Sequence, residues 1–119
     1  MGDPGSATIL AGRTVVAAEV ARTRTARRRG LLGRDGIDGV LVLVPCRQVH
    51  TIGMRFAIDV AFCAADGRVL RVATMQPGRV SRPVVRARVV LEAEAGAFGC
   101  WGLRCGDVVE VREHAGRDS

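Results

Sequence analysis

Lysine, asparagine and tyrosine are absent from this chain of 119 residues, and all 18 basic residues are arginines. The three missing residue types have AT-rich codons, whereas alanine, glycine and arginine have GC-rich codons. A GC-rich, bacterial genome therefore accounts for the net charge of +6 without a nucleic-acid partner. Three Phe and one Trp are also too few and too scattered to form a stacking surface for bases. We do not expect specific binding of nucleic acid.

Long apolar runs are missing as well. No segment approaches the about 18 consecutive apolar residues that span a bilayer, and the N-terminus has no secretory pattern. These absences predict a soluble, cytoplasmic protein without a membrane span. The length predicts a single β-rich domain over residues 7–112, with a disordered terminus at 1–6 and a frayed tail at 113–119.

The four cysteines form no Cys-x-x-Cys pair, so the sequence has neither a zinc-ribbon motif nor a thioredoxin-like motif. Cys46 and His50 are spaced like two metal ligands, but no second pair accompanies them. We therefore expect no metal and no cofactor. Cys63 lies in an apolar run, where a thiol behaves as a small hydrophobic group. We interpret the four cysteines as reduced, structural thiols. The sequence leaves open whether Cys100 and Cys105 form a disulfide.

Local patterns predict a mainly β chain with one helix in its N-terminal half. Thr23 is typical of an N-cap for a helix over 24–32, whose arginines we interpret as a solvated face rather than a phosphate site. A short helical turn is predicted at 96–103, after a long polar loop at 76–86. Strands are predicted at residues 8–10, 14–20, 40–44, 57–64, 68–75, 88–95 and 108–111.

The dipeptide Asp66-Gly67 lies between two apolar runs and predicts a β-hairpin with a two-residue type I′ turn. In that register Ala65 pairs with Arg68, and Asp59 pairs with Thr74. Both faces of the hairpin are largely apolar, which predicts a position inside a two-layer structure. Asp59 is then a carboxylate at the rim of an apolar face, where it needs a donor: the Thr74 hydroxyl, a backbone amide in the bend at Gly53, or Arg55.

Six motifs follow one another along the chain. They are Arg29-Gly30-Leu31-Leu32-Gly33-Arg34, His50-Thr51-Ile52-Gly53-Met54-Arg55-Phe56-Ala57-Ile58-Asp59-Val60-Ala61-Phe62, Asp66-Gly67-Arg68-Val69, Val90-Leu91-Glu92, Ala95-Gly96 and Gly106-Asp107. In this order and spacing they resemble the prokaryotic family known as domain of unknown function 192. The resemblance implies a mainly β domain, a distorted antiparallel β-sandwich or partly open barrel with one helix in the N-terminal half and a short C-terminal helical turn.

The same resemblance implies no activity, because the family has no established one. Ala57 stands where many relatives have a proline, so the entry to the following strand is expected to be less rigid here. Many relatives also carry a secretion signal that this chain lacks, and these exported relatives leave the cytoplasmic prediction open.

The candidate binding site comprises His50, Met54, Arg55, Asp59 and Glu92. A glycine bend is expected to bring the imidazole of His50 and the carboxylate of Asp59 together at the mouth of a β-layer. Glu92 is added from the polar face of a neighbouring strand. A pocket with these groups would bind a small polar molecule or the end of a peptide.

Two other functional classes remain open. An enzyme would use His50 as a general base oriented by Asp59, with Cys46 as the available nucleophile. A structural or interaction protein would present its basic surface or a strand edge to a protein partner. Each residue also has a purely structural interpretation. Asp59 pins the bend, His50 is half-buried in a strand, Met54 belongs to the core, and Arg55 and Glu92 form an ion pair.

Overall fold

The computed structural model describes residues 5–114, and within them the chain forms seven strands and two short helices. In chain order these are β1 Gly5–Ala11, β2 Thr14–Ala21, α1 Arg24–Arg29, β3 Val40–Leu43, β4 Ile58–Cys63, β5 Val69–Met75, β6 Val89–Glu94, α2 Ala97–Trp101 and β7 Glu110–Glu113. Every predicted strand is present, and so are the helix in the N-terminal half and the C-terminal helical turn. The mainly β prediction is confirmed.

The sheet has the order β5-β4-β6-β3-β2-β1-β7. β2 and β3 are parallel, so the sheet is mixed rather than purely antiparallel. The parallel pair follows from α1, which lies in the long crossover that two consecutive parallel strands require. The two edges approach each other where Arg68 bridges Val108 and the N–H of Val69 donates to the carbonyl of Asp107 at 2.7 Å. The sheet thus curls into a partly open barrel.

Helix α1 begins where the sequence predicts and ends earlier than predicted. The N–H of Ala26 donates to Oγ1 of Thr23 at 3.0 Å, which is the expected N-cap. The helix stops at Arg29 because Gly30 takes a positive φ of 48° while its N–H still closes onto the carbonyl of Ala26. Leu31, which was expected to be helical, is in the following turn and is buried in the core.

Replacing Thr23 with alanine should destabilise the protein by about 1 kcal/mol, because the Ala26 amide loses its side-chain acceptor. Chemical denaturation with urea measures the loss. Thr25→Ala is the matched control, since Thr25 lies exposed within α1 and accepts no capping hydrogen bond there. Equal losses in both variants would show that the cap contributes nothing.

The β4–β5 hairpin has a longer turn than predicted. The N–H of Ala64 donates to the carbonyl of Arg68, and the N–H of Gly67 donates to the carbonyl of Ala64, each at 2.9 Å. Gly67 has a φ of 92°, but no described non-glycine residue has a positive φ, so Asp66 cannot adopt the first position of a type I′ turn. The predicted turn type and the pairing of Ala65 with Arg68 are therefore wrong.

A β-bulge in the hairpin corrects the register further from the turn. The pairing shifts between Phe62 and Cys63, where Cys63 faces Val69 and Phe62 faces Arg71. The extra residue on β5 offsets the extra turn residue. Asp59 and Thr74 consequently pair as predicted.

Apolar side chains pack on both faces of the sheet, in two separate clusters. We call the side that carries Ala61, Cys63 and Phe98 the α2 face, and the side that carries Val60 and Leu31 the α1 face. Neighbouring residues of a strand point to opposite faces, so β4 contributes to both clusters. This alternation decides which functional groups can meet.

Strands β1 and β7 extend slightly beyond the predicted domain limits of 7 and 112. β1 begins at Gly5, inside the predicted disordered terminus 1–6, and β7 ends at Glu113, inside the predicted tail. The rest of both predicted segments, residues 1–4 and 115–119, lies outside the described residues. No helix in residues 5–114 has the length and apolar character needed to cross a bilayer.

Candidate functional site

A cavity of about 400 Å³ opens on the α1 face of the sheet. Its walls come from α1, from the segment that follows β3, and from β6. We call it the α1 cavity. The side chains that matter for its chemistry are Arg27, Arg28, Cys46, His50, Met54 and Glu92. Three of the five residues predicted for the binding site line this cavity, namely His50, Met54 and Glu92.

Glu92 forms the polar part of the cavity floor. It lies on β6 directly across from Leu41 of β3 and Val60 of β4, and its side chain is 4% exposed. This burial raises the pKa of its carboxyl group to about 7. Glu92 makes no side-chain hydrogen bond or salt bridge within residues 5–114. A buried carboxyl group without a partner is costly, so this group is a candidate for contact with a ligand.

The end of α1 lies close to this carboxyl group. A Cβ atom on Gly30 would be 3.8 Å from Oε1 of Glu92, so the backbone approaches the floor without touching it. Arg27 donates to the carbonyl of Arg22 at 3.1 Å. The other arginines of α1 have no side-chain hydrogen bond or salt bridge to any described residue. They are Arg24, Arg28 and Arg29, and all three are exposed and line the cavity.

His50 lies exposed on the cavity wall, rather than half-buried as the structural interpretation expected. Its Nδ1 accepts the N–H of Ile52 at 3.2 Å. A nitrogen that accepts a hydrogen bond carries no proton, so the neutral ring presents its N–H at Nε2. Met54 is buried and contributes apolar wall. His50 can therefore donate one hydrogen bond to a ligand in the cavity.

Asp59 lies on the opposite side of the sheet from the cavity. Its Oδ2 accepts the N–H groups of Gly96 and Phe98 at 2.9 and 3.1 Å, and its Oδ1 accepts the hydroxyl of Thr74 at 2.8 Å. The expectation that a glycine bend unites His50 with Asp59 is wrong, because strand alternation turns this carboxylate to the α2 face. Asp59 holds the start of α2, so it does not pin the bend either.

Arg55 also lies outside the cavity lining. Its guanidinium pairs with the carboxylate of Asp35 at 3.0 Å, and the two side chains are 60% and 88% exposed. Ion pairs this exposed contribute little to stability. The predicted pair between Arg55 and Glu92 is wrong, since the arginine is at the surface and the glutamate is buried.

The thiol of Cys46 lines the cavity but is poorly activated. Burial, above all, raises the pKa of this thiol, and its S–H donates to the carbonyl of Gln48 at 3.3 Å. All four cysteines are free, so Cys100 and Cys105 do not form the disulfide that the sequence left open. Within residues 5–114, no three His, Cys, Asp or Glu side chains cluster as a metal site would require.

The sequence interpretation missed the arginines of α1 as cavity residues. Arg27 and Arg28 follow Arg24 by three and four positions, so each lies beside Arg24 on one face of the helix. That spacing was visible in the sequence, but the strand across from it was not. The arginines are largely exposed, as the interpretation of a solvated face expects. That interpretation did not anticipate the buried carboxyl group of Glu92 beneath them.

Comparison with known proteins supports the fold and leaves the chemistry open. The family model DUF192, described as an uncharacterized ACR, matches residues 7–111. A protein of unknown function from Novosphingobium aromaticivorans has a TM-score of 0.75 and 24% identity, covering 88% of this chain and 83% of its own. A proposed transcription regulator from Sinorhizobium meliloti has a TM-score of 0.72 and 18% identity, covering 91% and 95%. No curated protein matches.

Proposed function

We propose that this chain, which belongs to the domain of unknown function 192 family, binds a small polar ligand in the α1 cavity. The family establishes no activity, so the proposal rests on the site. One observation carries it: Glu92 is 4% exposed and lines the cavity, and its carboxyl group has no partner among the described residues. A ligand that hydrogen-bonds to this group would offset the cost of its burial.

The dimensions and lining of the cavity suit a small molecule. A volume of about 400 Å³ falls within the range of about 300 to 1,000 Å³ that is common for ligand pockets. Leu31, Leu43 and Met54 supply apolar wall, whereas His50 and Glu92 supply polar contacts. Such a combination orients a ligand through few polar groups and excludes water through the rest. The same cavity would also accept the end of a peptide.

Binding fits the site better than catalysis does. A histidine acts well as a general base when a second group orients it, and Asp59 is on the other side of the sheet. The Cys46 thiol would need a lowered pKa to attack a substrate, but burial raises it. His50 and Glu92 are therefore assigned to contacting the ligand, and Arg55 and Asp59 have no part in the proposed site.

Replacing His50 with alanine should weaken ligand binding about tenfold, the equivalent of one hydrogen bond of about 1.4 kcal/mol. The melting temperature should hardly change, because His50 is exposed. A thermal-shift screen of metabolites, followed by titration of the strongest hit in an NMR experiment, measures both quantities. The amide shifts should map to α1 and to residues 45–54.

His114→Ala is the matched control, since His114 is the second of the two histidines and is exposed beyond β7. It should leave both affinity and melting temperature unchanged. Two results would contradict the proposal: amide shifts that map away from the α1 cavity, or a His50→Ala variant that melts early without losing affinity.

A further inference from the structure

The arrangement of charge in the α1 cavity narrows the chemistry of its ligand. We infer that the cavity binds a small amine that also carries an oxyanion, with the ammonium group on Glu92 and the oxyanion on the arginines of α1. This inference rests on the proposed binding function and adds the class of ligand to it.

The floor of the cavity favours a positively charged group. Glu92 is the sole acidic side chain of its described lining, and it lies between Leu41 and Val60 in the sheet. In such an apolar environment an ionised carboxylate needs both a counter-charge and hydrogen-bond donors. An ammonium group supplies both at once, whereas an alcohol supplies a donor alone.

The protein does not satisfy this need itself. The charged and titratable groups facing the floor are those of α1 and of the segment after β3: Arg24, Arg27, Arg28, Arg29, Cys46, Arg47 and His50. None of them forms a salt bridge or a hydrogen bond with Glu92. Arg47 instead donates to the carbonyl of Ala87 at 3.3 Å. Burial accordingly raises the pKa of the Glu92 carboxyl group to about 7, so this group is mostly protonated below that pH.

The mouth of the cavity favours a negatively charged group. Arg24, Arg28 and Arg29 are crowded on a helix of six residues and have no anionic partner among the described residues. Guanidinium groups bind carboxylate and phosphate oxygens through paired hydrogen bonds. An oxyanion placed here would also relieve the mutual repulsion of the arginines. A molecule with opposite charges at its two ends therefore matches floor and mouth together.

The test compares four probes of nearly equal length in NMR titrations of the full chain at pH 7.5. They are 4-aminobutyrate, which has both charges, butyrate, butylamine and the neutral-ended 4-hydroxybutyrate. We expect 4-aminobutyrate to bind at least tenfold more tightly than the other three, with amide shifts in α1 and β6. O-phosphoethanolamine, tested beside it, distinguishes a phosphate from a carboxylate at the arginines.

The variants separate the two ends of the ligand. Glu92→Gln should lower the affinity for 4-aminobutyrate about tenfold, to that of butyrate, and the double variant Arg28→Gln with Arg29→Gln should lower it to that of butylamine. Glu110→Gln, which removes an exposed carboxylate on β7, should change nothing.

The pH dependence of the wild-type protein provides a measurement that needs no variant. Between pH 6 and pH 8 the fraction of ionised Glu92 rises about tenfold when the pKa is about 7. The affinity for 4-aminobutyrate should rise by the same factor. The affinity for butyrate should stay level or fall over the same range, because an ionised Glu92 can only repel an anion.

Failure of the inference differs from failure of the proposed function. If butyrate or 4-hydroxybutyrate binds in the cavity as tightly as 4-aminobutyrate, or if the affinity for 4-aminobutyrate does not rise with pH, the ammonium–Glu92 contact is wrong. Binding of a different library compound in the cavity, with none of the charged probes binding, would overturn the inference and leave the proposed function standing. If no compound shifts the amides of α1 and β6, both are wrong.

Discussion

Replacing Glu92 with glutamine is expected to stabilise the empty protein by about 1–3 kcal/mol at pH 8 and to change its stability little below pH 4.5. Burial raises the pKa of this carboxyl group from 4.5 to about 7. At 1.36 kcal/mol per pKa unit, keeping the group ionised in the folded state costs about 3 kcal/mol. Glutamine keeps the shape without the charge, although its amide also lacks a partner there, so the gain is smaller than the full cost.

The sign of the pH dependence follows from proton binding. Between pH 4.5 and pH 7 the folded state holds the Glu92 proton and the unfolded state has released it. The contribution of Glu92 to stability is therefore fully present below pH 4.5, is lost as the pH rises through about 7, and is constant above that value. Glu92→Gln should remove this decline.

Urea denaturation of both proteins at pH 4.5, 6 and 8 measures the difference directly. Glu110→Gln is the matched control, because Glu110 is exposed on β7 and pairs with Arg112. Other titrating groups act equally on all three proteins, so the difference isolates Glu92. Parallel pH curves for wild type and Glu92→Gln would mean that the carboxyl group finds a partner in the folded state and that the cavity floor is not an unpaired acid.

Replacing Asp59 with alanine should destabilise the protein by about 3–5 kcal/mol. The carboxylate accepts three hydrogen bonds, from the hydroxyl of Thr74 and from the N–H groups of Gly96 and Phe98, and is 4% exposed. Alanine leaves two amides at the start of α2 without an acceptor, one of them in a buried bond. Each unsatisfied donor costs about 1–3 kcal/mol, and the lost charge adds to this.

Two further variants divide this loss. Asp59→Asn keeps one oxygen that can accept the amides of α2, so we expect a loss of about 1–3 kcal/mol. Thr74→Val removes only the exposed partner on β5 and should cost about 1 kcal/mol or less. Urea denaturation measures the change in the free energy of unfolding for each variant. Hydrogen exchange at the amides of Gly96 and Phe98 should accelerate in both Asp59 variants and not in Thr74→Val. A loss for Asp59→Ala no larger than that for Thr74→Val would show that the carboxylate does not hold α2.

Much of the fold could be predicted because its signals are local. Alternating or continuous apolar runs predicted the strands, Thr23 predicted the start of α1, and an Asp-Gly turn predicted the pairing of Asp59 with Thr74. The turn type was wrong, yet the distant register was right, because the bulge at Cys63 compensates for one added loop residue. A β-bulge depends on packing between strands and leaves no short-range pattern to detect.

The candidate site was predicted less well because a binding site depends on which strands are neighbours. Asp59 and Glu92 each lie beside apolar residues in their own strands. No local pattern shows which residue of β4 stands across from Glu92, and in the structure it is Val60 rather than Asp59. β6 was also misinterpreted, since Glu92 was placed on a polar face and that face is buried, with Glu92 at 4% exposure and Val90 at 0%. The parallel pair β2–β3 was missed for the same reason, since only the crossover through α1 creates it.

The pairing of β1 with β7 has a consequence for folding during synthesis on the ribosome. Ala7 pairs in register with Glu113, so β1, which is made before the other six strands, must wait for β7, which is made after them. Until β7 leaves the exit tunnel, β1 has an open flank that can pair with other nascent chains. Such distant pairings also slow folding, because a long loop must close before the contact forms.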